Sequence, residues 1–226
     1  MKLDDRIIRD EFLALEIEAF YASGVEDQNL ESYSHLLNGL KRELIDQVTL
    51  SEDPIISAKL VFNWLWYKKP KRYEKKGHFK LNEVIERQLS EKNQHVGNCL
   101  GLTLLYNCLL RKIDINVEAL HLEHAFGIGP HVLSVFVVGQ TEIHIENILE
   151  NGFDYKGHHN KSMITKWGDR ELVADIYHSR GNEYFQNEAY DNALKCYNQA
   201  IYLNPQYEKA QLNKVILMDK FLKSFD

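Results

Sequence analysis

Two of the chain's three cysteines lie in one stretch, NQHVGNCLGLTLLYNCLLRK, which begins at Asn93. Cys99 follows a Gly-Asn pair at the start of a predicted helix, whereas Cys108 lies within the apolar run of that helix. Unpaired backbone N–H groups and the helix dipole stabilise an anion at a helix start, which favours a reactive thiolate there. Cys99 is therefore the candidate nucleophile, and we expect Cys108 and Cys196 to be small buried core residues.

A thiolate nucleophile needs a base beside it and a third group that orients the base. His131 opens the apolar run HVLSVFVV, and the next run, TEIHIENIL, contains Glu146 and Asn147. If Gly139-Gln140 forms a two-residue turn, Glu146 lies on the same face of the hairpin as His131. A three-residue turn would place Asn147 on that face instead. We prefer Glu146, because only a carboxylate also stabilises an imidazolium by its charge.

Two further side chains are candidates for lining this site. Asn98, directly before Cys99, has the residue type and the position of a helix N-cap. His124 lies in the segment HAFGIGP, which we predict to be a loop that leads to His131. The backbone N–H of Cys99 could serve as one oxyanion donor, and the sequence does not identify a second one.

Histidine spacing could also indicate a metal site. His121 and His124 are separated by two residues, and His158 and His159 are adjacent. No cysteine or acidic residue accompanies either pair at an interval typical of zinc sites. We therefore predict neither a metal nor any other cofactor.

Three regions of the chain must position these residues. The first contains the amphipathic segments EFLALEIEAFYA, LESYSHLLNGLKRELIDQV and DPIISAKLVFNWLWYKK, whose apolar spacing predicts helices. The second begins at Asn93 and combines a helix from Cys99 to Arg111 with three short runs rich in β-branched residues, which predict a small antiparallel sheet. After the polar stretch KGHHNKS the pattern is helical to the end.

The C-terminal region has the residue pattern of a tetratricopeptide repeat of roughly 34 residues. Small, aromatic and turn-forming residues recur at the required places: Gly181, Tyr184, Ala193, Tyr197, Ala200 and Pro205. A third helix, Glu208 to Phe221, is expected to cover the open face as a cap. Because a single repeat cannot bury both of its faces, it either completes the core of its own chain or offers a groove to a peptide.

Composition restricts the classes of function. The net charge of -6 on 226 residues argues against a nucleic-acid binder. The one basic cluster, YKKPKRYEKK from Tyr67, is predicted to be a solvated loop. The acidic start MKLDDRIIRDEF is unlike a signal peptide, no apolar run is long enough for a membrane span, and the cysteines are few. We therefore expect a cytoplasmic protein with no membrane partner, and the sequence predicts no oligomeric state.

The order of a cysteine at a helix start, a histidine opening a strand and an acidic residue one hairpin later resembles the transglutaminase-like superfamily, whose papain-like core uses Cys, His and Asp. The segment FKLNEVIERQLSEKNQHVGNCLGLTLLYNCLLRKIDI, with HVLSVFVVG and IHIENILENG, is similar to the bacterial branch that has a helical N-terminal region and C-terminal tetratricopeptide repeats. The resemblance extends roughly from Leu37 to Asp154 and includes the repeat. It implies that Cys99 is the nucleophile, His131 the base and Glu146 the third residue, where relatives often carry Asp.

The resemblance implies an α+β fold with a helical N-terminal region, a papain/transglutaminase-like core with a small antiparallel sheet, and a tetratricopeptide hairpin with a capping helix. The change of residue pattern after KGHHNKS predicts the domains as residues 1–162, divided into a helical part (1–92) and a core (93–162), and residues 163–226. The implied activity is cysteine-dependent acyl transfer or hydrolysis on an amide or ester, with a protein or peptide as substrate. Because members of this branch often lack the cysteine, the alternative is a non-catalytic scaffold that binds a protein partner.

Overall fold

The computed structural model describes residues 14–127, 129–158 and 164–222. The chain divides into two compact units, Met1–Gly168 and Asp169–Asp226. The described ranges contain eight helices and one four-stranded antiparallel sheet. None of these helices combines the length and the apolar character that crossing a membrane requires. The mixed helical and antiparallel composition predicted from the sequence is therefore confirmed.

Four helices precede the candidate nucleophile: α1 (Ala14–Ser23), α2 (Asp27–Gln47), α3 (Pro54–Lys68) and α4 (Leu81–Leu89). The start of α3 follows directly from its sequence. Asp53 accepts a hydrogen bond from the backbone N–H of Ile55 at 2.8 Å, and Pro54 occupies the first turn, where its missing N–H costs nothing. These two residues therefore fix the start of the helix.

Helix α5 (Cys99–Arg111) is the centre of the first unit, because every residue from Leu100 to Leu110 is buried. A helix that is covered on all sides does not need an amphipathic pattern, which explains its nearly continuous apolar sequence. Tyr106 donates a hydrogen bond to the backbone oxygen of Ala58 at 2.8 Å and so ties α5 to α3. Cys108 is fully buried, as expected for a core residue.

The sheet contains β1 (Glu118–Ala125), β2 (Gly129–Val138), β3 (Thr141–Ile145) and β4 (Ile164–Trp167), in the order β3-β2-β1-β4. Val138 pairs with Thr141, so Gly139-Gln140 is the two-residue turn that the preferred register requires. The same register places Ser134 opposite Ile145. The predicted hairpin is therefore confirmed.

The sequence does not predict strand β4. We expected helix after the polar stretch that ends at residue 162, but Ile164–Trp167 pairs with β1. Four residues are too few to show a reliable period of two, and helix α6 begins at Asp169, so the helical pattern there hides the short strand. The Trp167 ring stacks on His121, with the ring centroids 4.1 Å apart.

The basic segment that begins at Tyr67 is only partly solvated, which corrects the prediction of a solvated loop. The Lys69 ammonium group donates to the backbone oxygen of Asn93 at 2.9 Å. Arg72 is 2% exposed, and its guanidinium lies 5.8 Å from the centre of the Trp66 ring. Burial lowers the pKa of Arg72 to about 9. These two cations therefore contribute to the packing around α3 instead of facing the solvent.

The second unit contains α6 (Asp169–Gln186), α7 (Tyr190–Leu203) and α8 (Glu208–Leu222). Gly181 of α6 lies against the ring of Tyr197, which is 1% exposed. Leu217 of α8 joins the same apolar cluster as Tyr197. The outer face of α8 is not the polar surface typical of a cap, because it exposes four apolar side chains: Leu212, Val215, Ile216 and Met218.

Gly181→Ala is expected to destabilise the second unit. A β-carbon at this position would lie 2.5 Å from a ring carbon of the packed Tyr197. Such overpacking costs about 1–3 kcal/mol, which exceeds the gain in helix propensity. The expected result in urea unfolding, followed by circular dichroism, is a lower free energy of unfolding.

Gly39→Ala is the matched control, because Gly39 lies inside α2 and a β-carbon there has no heavy atom within 4 Å. This variant should be more stable by about 0.5–1 kcal/mol, since alanine loses less backbone entropy than glycine in a helix. Stabilisation by both substitutions would contradict the close packing at Gly181.

Candidate functional site

The Cys99 thiol is half-buried at the first turn of α5, where the local sequence leaves little freedom. The Asn98 side chain accepts a hydrogen bond from the backbone N–H of Gly101 at 3.1 Å, so the predicted N-cap is confirmed. The backbone N–H of Asn98 donates to the oxygen of His78 at 2.9 Å. A β-carbon at Gly97 or Gly101 would lie 2.7 or 2.5 Å from that same oxygen. Both glycines therefore allow the helix start to pack directly on the preceding backbone.

A short extended segment beside Gly97 adds an aromatic residue to the site. Tyr73 forms an isolated parallel bridge with Gly97, and the backbone N–H of Glu74 donates to the oxygen of Gly97 at 3.0 Å. Burial raises the pKa of Tyr73, and the charges of Cys99 and Glu146 raise it further. The phenol therefore lies within electrostatic reach of the candidate nucleophile. No motif in the sequence indicates this residue.

The structure brings His131 and Glu146 into direct contact. The Nε2 atom of His131 lies 2.9 Å from Oε1 and 2.8 Å from Oε2 of Glu146, and both side chains are fully buried. The contact follows from the two-residue turn, because that register puts both residues on one face of the hairpin. The carboxylate accepts the Nε2 proton and leaves Nδ1 as the ring nitrogen available to a nucleophile.

Asn147, the alternative third residue, lies in a different hydrogen-bond network. Its side-chain nitrogen donates to Ser134 at 2.8 Å and to Thr103 at 3.3 Å. Ser134 donates in turn to Asn107 at 2.6 Å. Thr103 and Asn107 belong to α5, so this buried network joins the helix to the sheet. Asn147 therefore holds the scaffold together and does not orient His131.

The charges of His131, Glu146 and Cys99 are coupled. Burial alone would lower the pKa of His131, but the Cys99 thiol and the Glu146 carboxylate have the larger combined effect and raise it to about 9. The Cys99 contact is looser than a normal hydrogen bond, since Nδ1 of His131 has no partner at hydrogen-bond geometry among the described residues. Such contacts are often long in free enzymes.

The Glu146 carboxylate is held ionised in spite of its burial. Burial raises the pKa of Glu146, but hydrogen bonds from His131 and His158 and their charges lower it by more, so the net direction is downward. At neutral pH the site therefore contains an imidazolium and a carboxylate in contact. An ion pair of this kind can deliver and withdraw a proton at the thiol.

An aromatic enclosure surrounds the two imidazoles. The Phe126 ring meets His131 edge-on with centroids 5.4 Å apart and meets His158 at 5.1 Å. Tyr155 contacts His158 in the same manner at 4.9 Å. Phe126 has a φ of 52°, a left-handed backbone conformation that is costly for an aromatic residue. Phe126 is itself 39% exposed, so it forms an outer wall of this enclosure.

Three side chains in this enclosure could hold a metal ion: His131, His158 and Glu146 each offer one ligand atom, and these atoms lie within 4.8 Å of one another. A histidine that binds a metal usually donates its other ring N–H to an acceptor. Within the described residues neither Nδ1 atom has such an acceptor. The residues present therefore fit direct hydrogen bonds between the imidazoles and the carboxylate better than a metal.

His121 and His124, one of the two histidine pairs suggested by sequence spacing, are not part of this cluster. His124 is an exposed residue of strand β1, because that strand continues to Ala125, and so the predicted loop is wrong at this position. His121 is buried against Trp167 and lies 3.6 Å from the carboxylate of Glu123. His159 lies outside the described residues.

Glu146→Gln is expected to lower the pKa of His131 from about 9 toward its ordinary value of 6.5, because the amide has no charge and burial then dominates. NMR titration of the His131 ring measures this pKa. The raised pKa stabilises wild type fully below pH 6.5, and this stability is lost as the pH rises through 9. The variant should lack that decline.

Asn147→Ala is the control for this experiment. It removes a buried donor from the scaffold and should lower the free energy of unfolding by about 1–3 kcal/mol. The pKa of His131 should stay near 9, since Asn147 does not contact the ring. A lower His131 pKa in Asn147→Ala and an unchanged one in Glu146→Gln would reverse the assignment of the two residues.

Comparison with known proteins gives one match. Residues 174–207 match the family model of the tetratricopeptide repeat, so the predicted repeat is confirmed. Comparisons with curated proteins and with solved structures find no match. No transglutaminase-like family matches the chain, and the papain-like character of the first unit therefore stays a prediction. Because repeats of this type present binding surfaces to other proteins, the comparison supports a protein-interaction role for the second unit.

Proposed function

We propose that the protein is a cysteine-dependent enzyme that transfers the acyl group of an amide or ester to water or to an amine. The observation that carries this proposal is the contact of both Glu146 oxygens with Nε2 of His131. This contact fixes the ring and its tautomer and leaves Nδ1 for the Cys99 thiol. The order of these three residues also resembles the transglutaminase-like superfamily, whose members use such a triad for acyl transfer.

In the first half-reaction the Cys99 thiolate attacks the carbonyl carbon of the substrate, and the carbonyl electron pair moves to oxygen. The tetrahedral intermediate then collapses to a thioester while the bond to the leaving group breaks. The His131 imidazolium gives the Nδ1 proton to the departing amine or alkoxide. Glu146 keeps the ring oriented and stabilises its positive charge until that proton leaves.

In the second half-reaction the neutral His131 takes a proton from the acceptor as the acceptor attacks the thioester. Collapse of this intermediate releases the acyl product and restores the Cys99 thiolate and the His131 imidazolium. Water as acceptor gives a protease or a deamidase, and an amine gives a transglutaminase. The triad performs the same proton transfers in each case.

The oxyanion of each intermediate needs hydrogen-bond donors. The backbone N–H of Cys99 at the start of α5 is one such group. The Tyr73 phenol is the second candidate, because the Tyr73 backbone pairs with Gly97 and the pKa of the phenol is raised by burial and by the charges of Cys99 and Glu146. A raised pKa keeps the phenol protonated, and therefore a donor, at neutral and mildly alkaline pH.

The pH dependence of Cys99 labelling by iodoacetamide tests the proposed nucleophile. We expect fast labelling below pH 7 in wild type, because the imidazolium of His131 stabilises the thiolate. His131→Ala should lose this reactivity at low pH. Peptide mass spectrometry measures the rate, with the buried Cys108 and Cys196 as internal references. Labelling at the rate of an ordinary thiol in both proteins would contradict an activated nucleophile.

A protein-interaction scaffold is the second candidate function, and the tetratricopeptide match favours it. The second unit contains a groove of about 180 Å³, lined by Asn182, Phe185, Gln186, Tyr197, Asn213 and Ile216. Asn213 donates to Asn182 at 2.7 Å, and Tyr197 donates to the same residue at 2.9 Å. Amide groups held in this way in a groove with apolar walls suit the backbone of an extended peptide.

Ile216→Lys tests this groove, because Ile216 lines it and is 47% exposed, so the fold should tolerate the change. Val215→Lys is the matched control, since Val215 is the neighbouring residue, is 65% exposed and does not line the groove. With the full-length protein as bait, partners identified by quantitative cross-linking should fall about tenfold for Ile216→Lys only. Equal losses in both variants would contradict a specific groove. Cys99→Ala separates the two candidate functions. If the protein is only a scaffold, this variant should cross-link to the same partners as wild type. If the protein is an enzyme, the set of cross-linked partners should change.

A further inference from the structure

The buried carboxylate of Glu146 is hydrogen-bonded to two imidazoles. The Nε2 atom of His158 lies 2.8 Å from Oε2 of Glu146, and the Nε2 atom of His131 lies 2.8 Å from the same oxygen. The side chain of His158 is 1% exposed, and that of Glu146 is fully buried. The backbone N–H of Ile148 approaches the other oxygen at 3.4 Å. His158 is thus bonded directly to the group that orients the proposed base.

We propose that His158 is a positioning residue of this site, which donates its Nε2 proton to Glu146 and thereby fixes the carboxylate that orients His131. The proposal rests on the proposed function for its catalytic meaning. It adds a fourth residue to the triad, one that touches neither substrate nor nucleophile and acts through Glu146.

The hydrogen-bond partners assign the protons. An ionised carboxylate only accepts hydrogen bonds, so both Nε2 atoms must carry a proton. Neither Nδ1 atom has a hydrogen-bond partner among the described residues. His131 also interacts electrostatically with the Cys99 thiol. Both histidines are therefore held to the carboxylate through the same ring nitrogen.

The aromatic enclosure makes this donor hard to replace. Phe126 and Tyr155 both pack against the His158 ring, and they leave that side chain almost without solvent contact. A water molecule cannot readily take over the hydrogen bond if the imidazole is removed. The titratable groups that face Glu146 are His131 and His158 by direct contact, and the charges of Glu146 and Cys99 reach Tyr73.

Loss of this donor has a defined electrostatic consequence. The hydrogen bond from His158 helps to lower the pKa of Glu146. Without it Glu146 takes up a proton at a higher pH, and the protonated carboxyl can no longer balance the imidazolium of His131. The thiolate of Cys99 then loses its partner at a higher pH as well. The acid limb of Cys99 reactivity should therefore move upward.

The experiment compares two substitutions of His158 in the full-length protein. His158→Gln keeps an N–H donor near the position of Nε2, and His158→Phe keeps the ring but removes the donor. His121→Gln is the matched control, because His121 is also buried in the first unit but stacks on Trp167. The measured quantity is the pH of half-maximal iodoacetamide labelling rate at Cys99.

We expect this pH to rise by about one unit in His158→Phe, the size of effect that loss of one charge-assisted hydrogen bond produces. His158→Gln and His121→Gln should stay near wild type. An unchanged midpoint in His158→Phe would overturn the proposal, and so would an equal shift in His158→Gln, since either result means that the donor has no role. If His158→Phe does not fold, His158→Asn, whose amide is too short to reach Glu146, takes its place.

A second measurement separates this proposal from the proposed function. Nitrogen-15 NMR of the imidazoles should show His158 with its proton on Nε2, and Glu146→Gln should change that signal while His121 stays unchanged. If wild-type Cys99 labels like an ordinary thiol but the His158 signal behaves as expected, the enzyme proposal fails and the His158–Glu146 contact stands. A His158 signal that is insensitive to Glu146→Gln overturns the contact itself.

Discussion

A carboxylate that is removed completely from water must find donors and a compensating charge nearby, and Glu146 imposes this requirement on the first unit. Two imidazoles satisfy this requirement. Each of them comes from a separate part of the chain: His131 lies near the start of β2, and His158 lies in the segment after β3. The hairpin register, the aromatic rings around the histidines and the burial of the site all serve to keep these three groups together. Without the carboxylate, two buried imidazoles would have no common acceptor.

Helix α5 provides the second half of the site by a different physical means. Its burial on all sides fixes its axis, and the polar network of Thr103, Asn107, Ser134 and Asn147 fixes it against the sheet. The helix start can therefore hold Cys99 in one place without any direct bond to the thiol. A thiol positioned in this way is fixed by its backbone and remains half-exposed.

The sequence was sufficient to predict those features that depend on residues close together in the chain. The helix start at Cys99 follows from Asn98 as a cap, and the contact between His131 and Glu146 follows from the length of one turn. Tyr73 and His158 could not be predicted, because each reaches the site through a single long-range contact that leaves no periodic pattern. Strand β4 was not predicted for a related reason, because it is short and its partner β1 lies far away in the sequence. Prediction failed wherever tertiary structure brought together segments without a local signal.

Two glycines at the start of α5 restrict which sequences can present the Cys99 thiol. Gly97 and Gly101 have no reactive atom, yet any side chain at either position would meet the backbone oxygen of His78 and displace the turn that presents the thiol. In a library of random variants selected for the proposed activity, these positions should tolerate as few replacements as Cys99 itself. A map of intolerant positions would therefore contain the residues that support the proposed nucleophile as well as those proposed to do chemistry. A separate selection for folding alone would distinguish the positions needed for structure from those needed for chemistry.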